Sequence, residues 1–115
     1  PSRASALEFC LGSLAEMPAG DGDVYDVTEK FARAGRIAYV HFRNVRGQVP
    51  HYQEVFVDEG DLDMLRVVRI LHEAKYDGIL IPDHTPEMTC AAPWHAGMAF
   101  ALGYIKAAMQ AVERT

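Results

Sequence analysis

The sequence has 115 residues, is 50% hydrophobic and carries a formal net charge of −5 at pH 7, so it can bury a core and is not disordered by composition. An acidic balance argues against nucleic-acid binding, which needs clustered Lys and Arg, and no apolar run reaches the roughly 18 residues of a membrane span. With no secretory signal in view, we expect a cytoplasmic enzyme without a nucleic-acid or membrane partner.

The first part of the chain predicts two strands separated by a helix. Leu7–Cys10 is a short apolar run that leads into a turn at Gly12-Ser13. Asp23 is a candidate N-cap for a helix whose apolar residues recur at helical spacing until Gly35. Ile37–Phe42 is a nearly continuous β-rich run, which is typical of a strand buried on both faces of a parallel sheet.

The second part predicts a long loop, a helix, a strand and a final helix. Residues 43–60 have no helical period and only a weak extended pattern at Gln53–Val57, and connections this long are usually functional. Asp61 is predicted to cap the next helix, and Ile79–Ile81 to form the third strand. The apolar stripe of the first of these helices contains Met64, Val67, Val68 and Leu71. The stripe of the last helix contains Met98, Ala101, Leu102, Ile105, Met109 and Val112.

The order of these elements is β-α-β-α-β-α, which favours parallel strands joined by crossover helices. Three parallel strands alone would leave two open sheet edges. A TIM (β/α)₈ barrel of about 250 residues contains eight such units. The predicted fold class is therefore α/β, with residues 1–115 forming three β/α units as one portion of a single TIM-barrel domain, that is, a fragment.

Residues capable of metal binding follow each predicted strand. Cys10 ends the first strand, His41 lies at the end of the second, and Asp83 and His84 follow the third. Ligands of parallel α/β proteins bind at the carboxyl ends of strands, and thiolate, imidazole and carboxylate groups all bind divalent cations. Each residue taken singly also fits a core cysteine, a core histidine or a turn aspartate. Their recurrence in three successive units favours one shared metal site.

Basic and acidic residues on the long loop suggest a substrate class. Arg43, Asn44 and Arg46 come directly after His41, and guanidinium groups beside a cation site suit a carboxylate or phosphate substrate. The acidic run that follows is expected to be mostly a solvated rim, from which one carboxylate could be recruited to the site. Its members are Glu54, Asp58, Glu59, Asp61 and Asp63.

Several segments together resemble the C-terminal part of the bacterial mannonate dehydratases. They are Phe9-Cys10-Leu11-Gly12-Ser13, Val40-His41-Phe42-Arg43-Asn44-Val45, Val55-Phe56-Val57-Asp58-Glu59-Gly60-Asp61, Pro82-Asp83-His84 and Gly103-Tyr104-Ile105-Lys106. The resemblance covers nearly the whole chain, in order and at matching spacing. It implies the C-terminal three units of a xylose-isomerase-like TIM barrel.

The resemblance also implies an activity and a set of roles. The family dehydrates D-mannonate to 2-keto-3-deoxy-D-gluconate in hexuronate catabolism, so the implied enzyme is a hydro-lyase. Cys10, His41 and Asp83 would be metal ligands, His84 a catalytic acid/base, and Arg43 and Asn44 substrate-binding residues. The implied cofactor is a divalent metal, Mn²⁺ first, with Zn²⁺, Fe²⁺ or Co²⁺ as alternatives because thiolate is a soft ligand. The implied partners are an aldonic acid and either a second copy of the chain or the remainder of the barrel.

Two other functions stay open at the level of sequence. One is a sugar isomerase or epimerase of the same barrel type, which activity on aldoses and ketoses would distinguish from a dehydratase. The other is a catalytically silent truncated fragment. The second alternative arises because the family takes a further histidine ligand from an earlier strand, and no strand precedes Leu7 in this sequence.

Overall fold

The computed structural model describes residues 2–18 and 23–115. The strands are β1 (Leu7–Cys10), β2 (Ile37–His41), β3 (Val45–Gln48), β4 (His51–Glu54) and β5 (Ile79–Ile81). The helices are α1 (Leu11–Glu16), α2 (Val24–Arg33), α3 (Met64–Glu73) and α4 (Pro93–Glu113). None of these helices combines the length and the apolar character that crossing a bilayer requires.

The three predicted strands form one parallel sheet in the order β1-β2-β5. Helices connect them, and α3 packs against both α2 and α4. The predicted β/α repetition with parallel strands is therefore confirmed. Because β1 and β5 are both edges among the described residues, the closed eight-stranded barrel stays a prediction.

The sheet buries one face only. Phe9 and Val40 are paired across β1 and β2 and lie in the hydrophobic core. On the opposite face Glu8 is exposed and Tyr39 is partly exposed, while Ile79 in β5 is 65% exposed. The prediction that β2 is buried on both faces is thus wrong for the described residues. The second face of β2 holds Tyr39 and His41, which are only partly buried, although the sequence of β2 is nearly all apolar.

A short helix replaces the turn predicted at Gly12-Ser13. Helix α1 begins directly after β1, and the Cys10 Sγ accepts a hydrogen bond from the Ser13 backbone N–H, in the position of an N-cap. Leu11 is fully buried in the core. This combination of a capping sulfur and a buried first residue stabilises a helix where the glycine alone suggests a turn.

The long loop contains an antiparallel hairpin of β3 and β4, in which Val45 pairs with Glu54. The weak extended pattern at Gln53–Val57 overlaps only the last two residues of the second strand and continues three residues beyond its end. The N-cap of α3 is Asp63, whose carboxylate accepts from the Arg66 N–H. The prediction of Asp61 as this cap is wrong, because its carboxylate instead accepts from the Gly47 N–H of the hairpin.

The apolar stripe predicted for α3 is buried throughout, whereas the stripe predicted for α4 is buried only in part. All four stripe residues of α3 are buried, which confirms that prediction. In α4 the buried residues are Gly97, Ala101, Ile105, Ala108 and Val112. The predicted stripe residues Leu102 and Met109 are 54% and 45% exposed, so that part of the prediction is wrong. Three of these five buried residues are Gly or Ala, and a Cβ at Gly97 would overlap the Thr85 side chain, so α4 packs closely there.

Candidate metal centre

The side chains of Cys10, His41 and Asp83 meet at the carboxyl end of the parallel sheet. One potential ligand atom from each lies within 4.8 Å of the other two. His41 Nδ1 lies 3.6 Å from Asp83 Oδ2. The three residues that the sequence predicts to share one site therefore lie together in the structure.

Strand register brings the three residues together. Cys10 in β1 pairs directly with His41 in β2, and His41 pairs with Ile81 in β5. Paired residues of neighbouring strands point to the same face of a sheet, and so do residues two positions apart on one strand. Asp83 follows Ile81 by two positions, so it continues the same row beyond the end of β5.

The charge and hydrogen bonding of the cluster suit a cation. Asp83 Oδ1 is buried and has no hydrogen-bond partner among the described residues, and such an oxygen is costly unless a donor or metal satisfies it. The Glu16, Glu54 and Asp83 carboxylates surround a single guanidinium, that of Arg43. This excess of negative charge, together with a sulfur, nitrogen and oxygen donor set, fits a divalent metal.

A carboxylate contacts the ring of His41 from the other side. His41 Nε2 lies 3.3 Å from Glu8 Oε1, while Nδ1 faces Asp83. Histidines that bind metal usually donate their second ring N–H to a carboxylate or carbonyl, which fixes the ring orientation. The His41 ring also packs on Tyr39, with ring centroids 5.5 Å apart. Hydrogen bonding to Glu8 raises the pKa of Tyr39, so its hydroxyl stays neutral.

Arg43 connects the metal cluster to its surroundings. Its Nη2 contacts Cys10 Sγ at 3.5 Å and Ser13 Oγ at 3.0 Å, and its Nη1 donates to Glu54 Oε1 at 2.6 Å. Burial by itself lowers the pKa of Arg43, but Cys10, Glu54 and Glu16 together raise it above its ordinary value. The guanidinium is therefore a permanent positive charge directly behind the cysteine.

Asn44 has a structural task in this geometry. Its side-chain amide is fully buried, donates to the carbonyls of Val57 and Leu62, and accepts from the N–H groups of Val45 and Leu62. The amide thus fastens the beginning of the hairpin to the segment that enters α3. The structure leaves no polar atom of Asn44 free to contact a substrate, which departs from the role expected by resemblance.

His84 lies beside the cluster and is half exposed. Its Nε2 is 3.8 Å from Asp83 Oδ2, and its Nδ1 is 3.0 Å from Glu54 Oε2. Glu54 is the member of the acidic run that reaches the site, and recruitment of one such carboxylate was an open option in the sequence. Because half of its side chain is exposed, His84 remains a candidate for the acid/base role that the resemblance implies.

Sequence reasoning missed three polar residues that contact the site: Glu8, Ser13 and Glu16. Glu8 was detectable, because it precedes Cys10 by two positions and a strand places such residues on one face. Ser13 and Glu16 lie on α1, which was predicted as a turn. Without that helix, the sequence offers no reason to bring Glu16 close to Arg43.

Comparison with known proteins gives a consistent result. The chain matches the family model of D-mannonate dehydratase (UxuA) over residues 1–115. It is 33% identical over 88 residues to a mannonate dehydratase of Lactococcus lactis subsp. cremoris, covering 72% of this chain and 24% of that protein. A mannonate dehydratase of Geobacillus thermodenitrificans is 36% identical over 87 residues, with coverage of 72% and 23%.

The fold is likewise similar to a crystal structure of mannonate dehydratase from Streptococcus suis serotype 2. The TM-score is 0.80 at 28% sequence identity, covering 95% of this chain and 33% of that one. The chain spans about a quarter of the length of the curated relatives it matches. Since the family model matches every residue from 1 to 115, the chain belongs to the mannonate dehydratase family.

Proposed function

We propose that this chain forms the metal-binding part of a hydro-lyase active site that converts D-mannonate to 2-keto-3-deoxy-D-gluconate and water. The observation that supports this most directly is the convergence of Cys10, His41 and Asp83 at the carboxyl ends of three adjacent strands. Membership of a family whose relatives are named mannonate dehydratases supports the substrate class. The proposed metal is Mn²⁺, with Zn²⁺ as the alternative that a thiolate ligand favours.

We infer that the three parallel strands belong to a larger β/α barrel. The edges of β1 and β5 have unpaired backbone groups among the described residues, and proteins normally cover such edges. Further β/α units would cover both edges and enclose the sheet face that holds Cys10 and His41. The mouth of that barrel would then bind an aldonic acid next to the metal.

The reaction requires that a proton leave the carbon next to the carboxylate and that the neighbouring hydroxyl depart as water. A divalent metal held by Cys10, His41 and Asp83 would stabilise the negative charge that develops on the substrate carboxylate. His84 would hold or release a proton at Nε2, because its Nδ1 already faces Glu54. Arg43 would contribute a positive charge beside the cluster, because its Nη2 contacts Cys10 Sγ.

Removal and return of the metal tests the proposed function on the purified protein that contains these residues. Chelator treatment should abolish formation of the keto acid from D-mannonate, and stoichiometric Mn²⁺ or Zn²⁺ should restore it. D-Mannose and D-fructose serve as controls, since an isomerase of related architecture would convert them. Turnover of mannonate by metal-free protein, or turnover of the aldose and ketose alone, would contradict the proposal.

A further inference from the structure

Glu54 bridges two residues of the candidate site. Its Oε1 lies 2.6 Å from Arg43 Nη1, and its Oε2 lies 3.0 Å from His84 Nδ1. Each carboxylate oxygen therefore has its own partner, one a permanent cation and the other an imidazole ring. The bond from Arg43 is charge-assisted, and such bonds are shorter and stronger than those between neutral groups, so it fixes the orientation of the Glu54 carboxylate.

The position of Glu54 in the fold restricts the movement of its carboxylate. It is the last residue of β4 and pairs with Val45, which is fully buried in β3. Its partner Arg43 has a side chain only 10% exposed and is held from the other side by Ser13 and Glu16. A carboxylate with this anchoring keeps its place, unlike the carboxylate of an isolated surface ion pair, which adds little.

His84, by contrast, has little else to hold it. Its side chain is 51% exposed, and it lies in an irregular segment between β5 and α4. Besides Glu54, its ring nitrogens have one charged neighbour among the described residues, the adjacent Asp83 at 3.8 Å, which is beyond hydrogen-bond length. The contact with Glu54 is thus the one hydrogen-bond-length contact of the His84 ring among those residues.

We propose that Glu54 is a positioning residue that holds the His84 ring with Nδ1 toward its carboxylate and Nε2 toward Asp83 and the candidate metal cluster. This inference rests on the proposed function of His84. A carboxylate 3.0 Å from one ring nitrogen restricts the rotation of the ring, so the other nitrogen keeps a fixed direction. Glu54 itself does not contact the reacting atoms.

Kinetics of Glu54→Ala test the proposal in the purified, metal-loaded protein. We expect kcat for D-mannonate to fall about 10- to 100-fold, which is less than the roughly 10²- to 10⁴-fold contribution of an acid–base group itself, while KM and metal content stay within about 3-fold because no candidate ligand is altered. In a His84→Ala background, the same substitution should cause no further loss. Glu59→Ala, which removes an exposed acidic side chain of the same acidic run, is the matched control and should leave kcat unchanged.

A spectroscopic measurement keeps the inference testable if the protein proves not to act on mannonate. In metal-free protein labelled with ¹⁵N-histidine, the signals of His84 are identified by their disappearance in His84→Ala. We expect one ordered set of ring signals for His84 in the native protein and shifted, broadened signals in Glu54→Ala, because the released ring rotates. If Glu54→Ala fails to fold, Glu54→Met retains the side-chain length without a carboxylate. Unchanged His84 ring signals, or kinetic losses that add fully in the double variant, would overturn the proposal.

Discussion

The two faces of the parallel sheet differ in composition: one packs into the hydrophobic core and the other holds the candidate metal site. On the helix-covered face, Phe9 and Val40 are 4% and 0% exposed and belong to the hydrophobic core. On the opposite face, the residues next to them in sequence are Glu8, which is exposed, and the candidate ligands Cys10 and His41, which are partly buried. The two sets alternate along the same short strands, as the two-residue period of a strand requires.

Because of this alternation, adjacent residues of one strand affect different properties: one contributes to the stability of the core and the next to the candidate metal site. A substitution on the core face removes apolar burial and leaves the candidate ligands intact. A substitution on the open face alters charge and the candidate ligands, but removes few packed atoms. Substitutions made on neighbouring residues of one strand therefore compare the two faces under otherwise equal conditions.

The largest effect is expected from losing a metal ligand. His41→Ala or Asp83→Ala should reduce bound metal from one ion per chain to nearly none, because each removes one member of a three-residue donor set. The free energy of unfolding of the metal-free protein should change by less than about 1 kcal/mol. Elemental analysis and chemical denaturation measure the two quantities.

Tyr39→Phe is the matched control for the ligand variants, since it alters a side chain on the same face and strand without removing a ligand. It should retain the full complement of metal. Full metal occupancy in both His41→Ala and Asp83→Ala would remove these residues from the proposed ligand set.

A core substitution on the other face should have the converse result. Phe9→Ala is expected to lower the free energy of unfolding by about 3–5 kcal/mol, because Phe9 is 4% exposed and packs on the Phe31 ring. Phe9→Leu keeps most of the volume and should cost less than about 1.5 kcal/mol. Folded Phe9→Ala protein that had lost its metal affinity while keeping its stability would contradict the separation of the two faces.

Asn44 offers a third comparison, between a structural and a substrate-binding role. Asn44→Ala should lower the free energy of unfolding by about 2–3 kcal/mol, since it leaves buried backbone groups without partners. Gln48→Ala, at an exposed position of the same hairpin, should change it by less than about 0.5 kcal/mol. Unchanged stability with a raised KM for mannonate would instead favour the substrate-binding role.

The smallest effect is expected at Glu8, which contacts a candidate ligand without being one. Glu8→Gln should raise the Kd for the metal about 10-fold, at the lower end of the range for such supporting residues because Glu8 is exposed. Metal titration monitored by calorimetry measures the change. Glu29→Gln, which breaks a surface ion pair with Arg33 on α2, is the control and should leave Kd unaltered. A Glu8→Gln Kd equal to that of the native protein would show that the carboxylate does not support His41.

Much of the fold was predictable because it follows local rules. The apolar runs that become β1, β2 and β5, and the stripe of α3, are signals of period and composition. The hairpin of β3 and β4 was not predictable in this way, since β4 is largely exposed and lacks an alternating apolar face. Asn44 at the start of the hairpin instead bonds to the distant carbonyls of Val57 and Leu62, and single-sequence patterns do not reveal such contacts.

Contacts between residues far apart in sequence also explain the errors made at helix ends and in the candidate site. Asp61 and Asp63 are equally good caps by residue type, and only the position of the hairpin decides between them, by giving Asp61 the N–H of Gly47. The candidate ligands were predictable from their place after each strand. The bridge through Arg43 and Glu54 was not, because it joins residues whose proximity depends on the hairpin and on α1.

X-ray absorption spectroscopy of the metal-loaded protein tests the central claim most directly, namely that Cys10, His41 and Asp83 bind one divalent metal together. For the Zn²⁺ form we predict one sulfur neighbour at about 2.3 Å together with nitrogen and oxygen neighbours at about 2.0–2.2 Å. The sulfur signal should disappear in Cys10→Ser. A fully loaded native protein whose metal has only nitrogen and oxygen neighbours would contradict the account.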